Sequence, residues 1–405
     1  MLGLLGRAAH RTSLIEFLGR GSHLMTDFPP ALRAGIIGGG FMAAVHSRAI
    51  RAAGGSVVAA TASSADRAHL ARKSTGARHA AASVRELVQR EDIDVVHVCS
   101  PNAVHQEHAV QALEAGKWLV CEKPLATSVR AAESILDAST CSGLGGSVPF
   151  VYRFHPMVRE MRARIAAGAL GAPSVIHGSY LQDWLAAENA TNWRVDPRLG
   201  GRSRAFADIG SHWFDLLEFV TGDRVTRVSA QGLTAFPQRN GGAATTEDAV
   251  SVQFATEGGA IGAMVVSQVS AGRKNRLHLE ISGSDASFAF DQEQPESLWH
   301  GSLPGATQLA RDGDQLAPDA ARLSLLPPGH PQGYQDAFNA FVADSHSFFA
   351  GTLGPEAQRG LPQLQDGLRA AEICDAVLDS VDSSGSWVET TSALRTESES
   401  ARVAV

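Results

Sequence analysis

Cysteine is scarce in this chain. Among 405 residues there are four, Cys99, Cys121, Cys141 and Cys374, and none stands in a CxxC or CxxH spacing. That pattern gives no zinc knuckle and no disulfide framework, and it fits a reducing, cytoplasmic setting. A basic excess is lacking too. Lys and Arg number 35 against 42 Asp and Glu, for a net charge of -7. A nucleic-acid partner favours a basic face, so none is expected. No apolar run approaches the roughly 20 residues that cross a bilayer, and no membrane association is expected either.

What is present is ordinary for a globular protein: 44% hydrophobic and 19% charged residues. The length suits two or three domains with a substantial core. Residues 1–30 stand apart, mixing apolar and basic residues without a long hydrophobic region or a clean cleavage site. They read as a disordered N-terminal extension: a targeting leader, or an upstream start with Met25 as the alternative. Residues 390–405 read as a flexible polar tail.

From Arg33 a rhythm sets in. Apolar strands at 56–62, 94–102, 117–124 and 146–154 alternate with helices at 64–76, 83–93, 104–116 and 128–140. Continuous apolar strands between helices predict a parallel sheet covered on both faces, an α/β Rossmann domain over 31–152. Beyond it the strands alternate sides and the turns shorten: 172–184, 224–236, 247–256, 259–271, 275–290 and 296–301. They predict an α+β domain over 153–389 with a large open, mainly antiparallel sheet. Two helices, at 333–351 and 364–385, and a short strand "SWVET" close it.

The first strand runs into Gly38-Gly39-Gly40-Phe41-Met42-Ala43, a G-x-G-x-x-A pattern opening a helix. The first glycine makes a tight turn, the second lets backbone approach a pyrophosphate, and the small third residue packs helix on strand. Gly38, Gly40, Phe41, Met42 and Ala43 are therefore cofactor-binding candidates, with the phosphates on the helix N-terminus. The second strand ends Thr61-Ala62-Ser63-Ser64 without the carboxylate that would hold an NAD ribose. Asp66 falls later, in the helix. Ser63, Ser64 and Arg67 could hydrogen-bond a 2′-phosphate, so NAD and NADP both stay open.

Three further segments complete a pattern: "DVVHVCSPNAVHQEHAVQALEAGKWLVCEKPLA", "YRFHP" and "GGRSRAFADIGSHWFDLLEFVTG". With the glycine turn they resemble the glucose–fructose oxidoreductase and inositol dehydrogenase family (Gfo/Idh/MocA). By motif the resemblance runs from Arg33 to Gly222. It implies a dehydrogenase that moves a hydride between a nicotinamide and a carbon of a sugar, cyclitol or related polyhydroxy compound. In that family the E-K-P lysine lies beside the nicotinamide, often before a cis proline. Lys123 takes that place here, and burial would push an amine towards neutrality. Asp208 and His212 match the D-x-G-x-H motif, and a spacing of four places them on one face if the segment is helical. The resemblance makes His212 the general acid/base, Asp208 the orienting group and Lys123 the partner of the reacting oxygen. Asp215 reads as a helix or core contact.

Ser100, Pro101, Asn102 and His105 match the family segment bordering the cofactor; Glu122 and Lys123 count with them as cofactor-binding candidates, Glu122 supporting Lys123 or the sheet. Tyr152 and Arg153 lie at the domain crossover and, with Trp193 and Arg194, are substrate-binding candidates. The basic "RSRAF" after Gly201 departs from the family's shorter loop. Cys99, His105, His108 and Cys121 are too irregularly spaced for a metal site. Assembly into a homo-oligomer, a dimer or tetramer, through the open sheet is expected from the resemblance. The alternative reading is a catalytically silent dinucleotide-binding regulator of the same fold.

Overall fold

The computed structural model describes residues 31–239 and 242–390. Expectations for residues 1–30, including Met25, and for 391–405 lie outside the described residues.

Six strands build the first sheet: β1 (Arg33–Ile37), β2 (Ser56–Thr61), β3 (His79–Ala80), β4 (Val95–Val98), β5 (Trp118–Cys121) and β6 (Gly146–Ser147). Their order is β3-β2-β1-β4-β5-β6, parallel throughout. The apolar runs of β1, β2 and β4 are buried almost end to end, because helices cover both faces. Those helices are α1 (Phe41–Ala52), α2 (Ala65–Thr75), α3 (Val84–Val88), α4 (His105–Glu114) and α5 (Val129–Ser142). Ser64, Ser83 and Ser128 cap α2, α3 and α5 through their side chains. Each such cap stabilises by about 1 kcal/mol. The strand order reverses between β1 and β4, which opens a crevice at the carboxyl ends of the strands.

One expected strand is corrected. Of 146–154, only Gly146–Ser147 pairs with β5, and Val151–Phe154 winds into a buried 3₁₀ turn. Pro149 has no N–H for a ladder, and the Val148 N–H bonds the Pro362 carbonyl instead.

The chain then forms α6 (Pro156–Ala166), β7 (Pro173–Leu181), α7 (Ser211–Thr221), β8 (Val225–Leu233), β9 (Ala249–Thr256) and β10 (Ile261–Ser267). It continues through β11 (Arg276–Gly283), β12 (Ala286–Asp291), β13 (Ser297–Ser302) and β14 (Gly305–Ala310). Last come α8 (Tyr334–Phe349), α9 (Leu364–Asp382) and β15 (Val388–Glu389). The second sheet has nine strands in the order β14-β13-β12-β11-β7-β10-β9-β8-β15. Only β7 and β10 pair in parallel, so the sheet is mixed and mostly antiparallel. Its inner residues bury Phe254, Met264, Leu279 and Phe288 against Trp213, Phe214 and Leu217 of α7. Helices α6 and α7 and strand β14 had no assignment from the sequence alone.

The closing helices join the two layers. Phe338, Phe341 and Val342 of α8 share a core with Ala43, Ala49 and Ile50 of α1. Leu364 and Leu368 of α9 pack with Leu125, Ile135 and Val148 on the first sheet. Ile373 and Val377, further along α9, enter the core of the second sheet. One rigid helix thus holds both sheets in register around the crevice.

Candidate active site

The glycine turn sits at the carboxyl end of β1. Gly38 has φ +127°, and a Cβ there would lie 2.5 Å from the Cys99 carbonyl oxygen. Its N–H bonds the Thr61 carbonyl at 2.8 Å, which fixes the tip of β2 beside the turn. A Cβ on Gly39 would meet Ala71 of α2 at 3.0 Å, whereas one on Gly40 would project into open space. Gly40 is the N-cap of α1, with no side-chain cap and no acid in the first turn. Among the described residues no side chain caps the N–H groups there, and they bear the positive end of the helix dipole. Ala43 is buried, Phe41 is 71% exposed at the turn, and Met42 lies under the Tyr334 hydroxyl. The turn fits a dinucleotide pyrophosphate.

Beyond β4, the Ser100 hydroxyl meets His108 Nδ1 at 2.9 Å. Pro101 begins the following 3₁₀ turn, and buried Asn102 donates to the Gly200 carbonyl at 3.1 Å. His105 lies between the carbonyls of Ser100 and Pro124, both at 2.8 Å, and so ties β4 to the E-K-P turn.

Glu122 anchors that turn from below. Its carboxylate takes the Lys123 N–H at 3.2 Å and meets His46 Nε2 at 2.9 Å. Burial works against its ionisation, but His46, Lys123 and His105 together hold its pKa below the usual carboxylate value. His46 in turn rests on His97, Nδ1 to Nδ1 at 2.8 Å. The Lys123–Pro124 peptide is cis.

Above the turn, Lys123 Nζ donates to the Asp208 carbonyl at 2.6 Å and to its Oδ1 at 2.7 Å. Gln268 Nε2 holds Asp208 Oδ2 at 2.8 Å. Arg194 Nε stands 3.2 Å from Oδ1, off the hydrogen-bond direction, with its guanidinium over the Trp193 ring at 4.5 Å. Burial disfavours the Asp208 carboxylate, yet Lys123 and Arg194 outweigh that and hold it well below the usual range. Asp208 lies in a π-helical turn, Phe206–Gly210, that runs straight into α7. Such turns are rare and cluster at functional sites.

His212 follows one turn later, buried. Its ring lies edge-on to Tyr152 at 5.0 Å and to Phe150 at 5.7 Å. Burial first, and Lys123 second, push it well below the usual histidine range, with Asp208 opposing only in part. Among the described residues its buried Nδ1 has no hydrogen-bond partner. Tyr152 shares a hydrogen bond with Tyr180, whose hydroxyl also donates to Asn275 Oδ1 at 2.8 Å. Gln182 reaches the same oxygen at 2.7 Å and accepts from Trp184 Nε1.

The fold therefore brings Lys123, Asp208, His212, Tyr152, Trp193 and Arg194 together above the E-K-P turn. It does not bring Arg153. That guanidinium binds Asp215 on both arms, reaches Asp366 at 2.7 Å and lies over Phe219. A cavity of about 310 Å³ lined by Arg153, Asp215, Arg224 and Asp366 lies there, touching none of Lys123, Asp208 and His212. Asp215 lies on α7 with its carboxylate paired to Arg153. Ser64 is engaged as the α2 cap. Among the described residues no group of three or more His, Cys, Asp or Glu is arranged for a metal.

Four polar residues escaped the sequence reading: Tyr180, Gln182, Gln268 and Asn275. Tyr180 and Gln182 share the alternation of an ordinary strand. Gln268 directly follows β10 and Asn275 directly precedes β11. A polar residue at or beside a strand end is the trace they leave in the sequence.

Two family profiles cover most of the described chain. The oxidoreductase family with an NAD-binding Rossmann fold matches residues 32–145, and the GFO/IDH/MocA C-terminal domain matches 158–289. Levoglucosan dehydrogenase of Pseudarthrobacter phenanthrenivorans is 29% identical over 397 residues, 88% of this chain and 98% of that protein. An oxidoreductase domain protein from Kribbella flavida superposes with a TM-score of 0.82 at 33% identity, covering 89% of this chain and all of the other. An Azotobacter vinelandii inositol dehydrogenase homologue, solved with NADH and myo-inositol, gives 0.82 at 25% identity, over 90% and 99% of the two chains. Taken with the glycine turn and the E-K-P lysine, these likenesses place the chain in the Gfo/Idh/MocA family of oxidoreductases.

Proposed function

We propose that the chain is an NAD(P)-dependent dehydrogenase of a sugar, cyclitol or related polyhydroxy compound, with Lys123 and His212 handling the proton. The observation that carries this reading is the convergence of Lys123, Asp208 and His212 at the carboxyl edge of a parallel sheet whose glycine turn fits a dinucleotide. Gly38, Gly40 and the first turn of α1 would hold the pyrophosphate. Ser100, Pro101, Asn102, His105 and Glu122 would border or support the nicotinamide end. When bound, the nicotinamide supplies the hydride acceptor or donor.

The residues divide the remaining work. An ammonium has three N–H donors, and Asp208 takes two of those on Lys123. The third is left for the substrate oxygen. Asp208 stays ionised and fixes the direction of that donor. His212 is neutral at neutral pH, so it accepts the hydroxyl proton as the carbon–hydrogen bond breaks, and returns it in the reverse direction. Its orphaned Nδ1 supports a role in meeting a polar ligand, since a buried unsatisfied nitrogen costs about 1–3 kcal/mol. Trp193 offers an apolar ring face to a sugar, and Tyr180 and Asn275 offer polar groups near His212.

Homo-oligomerisation through the second sheet belongs to the same proposal. Val175 and Ile261 are neighbours on β7 and β10 and face outward with Val265. The test of function is absorbance at the reduced-nicotinamide band with NAD or NADP and a panel of sugars, sugar acids and inositols. Turnover that disappears in Lys123→Met supports the reading. Cofactor binding without turnover, in either direction and with every compound, would leave the silent regulator.

A further inference from the structure

The two nicotinamide cofactors differ by one phosphate, on the 2′ oxygen of the adenosine ribose. In a Rossmann sheet that ribose meets the tip of the second strand, where a carboxylate selects NAD and a nearby arginine accommodates NADP. The tip of β2 is well placed here, because the Gly38 N–H bonds the Thr61 carbonyl and ties the strand to the glycine turn. After Thr61 come Ala62, Ser63 and Ser64, none of them acidic.

Arg67 is aimed at this spot by the packing of α2. Ala71 of that helix abuts Gly39, at 3.0 Å from where its Cβ would stand. Arg67 lies one turn before Ala71, so it shares the helix face that meets the glycine turn. Its Nη1 donates to the Ser63 hydroxyl at 3.2 Å, and its N–H to the Ser64 hydroxyl at 3.3 Å. Both hydroxyls accept in these contacts, so each keeps its own proton to donate. The guanidinium is exposed, and no carboxylate pairs with it among the described residues. Asp66 is adjacent in sequence but points about 100° away around the helix.

We infer that Ser63, Ser64 and Arg67 form a site for the 2′-phosphate, so that the chain prefers NADP to NAD. This rests on the nicotinamide-dependent reading above. Two hydroxyls and a guanidinium adjoin at the tip of β2, where an NAD-selective sheet carries a carboxylate for the 2′-hydroxyl. A dianionic phosphate gains charge-assisted bonds there, whereas the ribose hydroxyl of NAD gains little.

The test separates this inference from the enzymatic one. Calorimetry would compare 2′,5′-ADP with 5′-AMP, which differ only in the 2′-phosphate, and would need no substrate. We expect 2′,5′-ADP to bind at least about tenfold tighter, with the preference shrinking as salt rises. In Arg67→Ala that preference should fall about tenfold, and Ser63→Asp should reverse it. Equal binding of the two nucleotides overturns the inference, as does a preference that Arg67→Ala leaves intact. Turnover with NAD and none with NADP would also overturn it while leaving the dehydrogenase standing. Absence of turnover with either cofactor, beside an Arg67-dependent preference for 2′,5′-ADP, would uphold it and count against the dehydrogenase reading.

Discussion

Lys123 donates to both the backbone carbonyl and the side chain of Asp208, 85 residues further along the chain. The pair joins the E-K-P turn of the first sheet to the π-helical turn before α7. Replacing Lys123 by Met removes the donor proposed for the substrate oxygen, so kcat should fall by on the order of 10²–10⁴. Asp208→Asn should lower kcat more than it raises KM, because it loosens the lysine without removing it. Steady-state kinetics of both variants would decide this. Unchanged kcat in Lys123→Met would refute the assigned role.

The neutral state of His212 sets a pH expectation. Burial and Lys123 lower its pKa, so the ring remains a base below the usual value of about 6.5. Oxidation should therefore keep its kcat as pH falls from about 7.5 towards about 6.5 and lose it only in more acidic solution. An acid limb that survives unshifted in His212→Asn would show that another group titrates.

Two glycines of one turn should behave differently. Gly38→Ala puts a Cβ against backbone at φ +127° and should cost about 1–3 kcal/mol of stability as well as cofactor binding. At Gly40 the added methyl meets nothing among the described residues, so Gly40→Ala should keep the melting temperature and weaken cofactor binding. Calorimetry and nucleotide titration of the two variants would test the contrast. Equal melting losses would argue against the glycine turn as described.

Acid should destabilise the fold through its buried histidines. Burial lowers His155 and His346 to about 4, against about 6.5 in an unfolded chain. Between those values the unfolded state binds protons that the folded state does not, so stability is present above about pH 6.5 and drains away as pH falls towards 4. Each tenfold difference in proton affinity between the two states is worth about 1.4 kcal/mol. Urea unfolding at about pH 7.5 and about pH 5 should show the loss, and His155→Phe should reduce it. A pH dependence that His155→Phe leaves unchanged would contradict the burial assignment.

The outward apolar pair on the second sheet bears on assembly. Ile261 is 63% and Val265 44% exposed in the single chain. If copies associate there, Ile261→Lys with Val265→Lys should shift the sedimentation coefficient towards the monomer. A coefficient unaffected by both changes would place any interface elsewhere.

The legible part of the site was local. The glycine turn, the E-K-P segment and D-x-G-x-H each lie within a few consecutive residues, and the glycine turn opens a helix as its pattern required. Arg153 was read with its neighbour Tyr152 because they adjoin in sequence. The 3₁₀ turn sends one towards His212 and the other to Asp215 and Asp366. Gln268 and Asn275 carried no motif, since a polar residue at a strand end looks the same whether it faces solvent or a site.

The sequence by itself determined the parallel sheet, the mainly antiparallel sheet after it, and the segments that hold the glycine turn and Lys123. Those follow from hydrophobic period and backbone hydrogen bonding, which act over a few residues. Tertiary structure alone decided that Lys123 meets Asp208, that Gln268 holds the far side of that carboxylate, and that α9 spans both cores. It also decided that Arg67 lies on the face of α2 turned to the glycine turn. Those meetings depend on how buried side chains fill shared space between elements distant in sequence, and no local pattern records that.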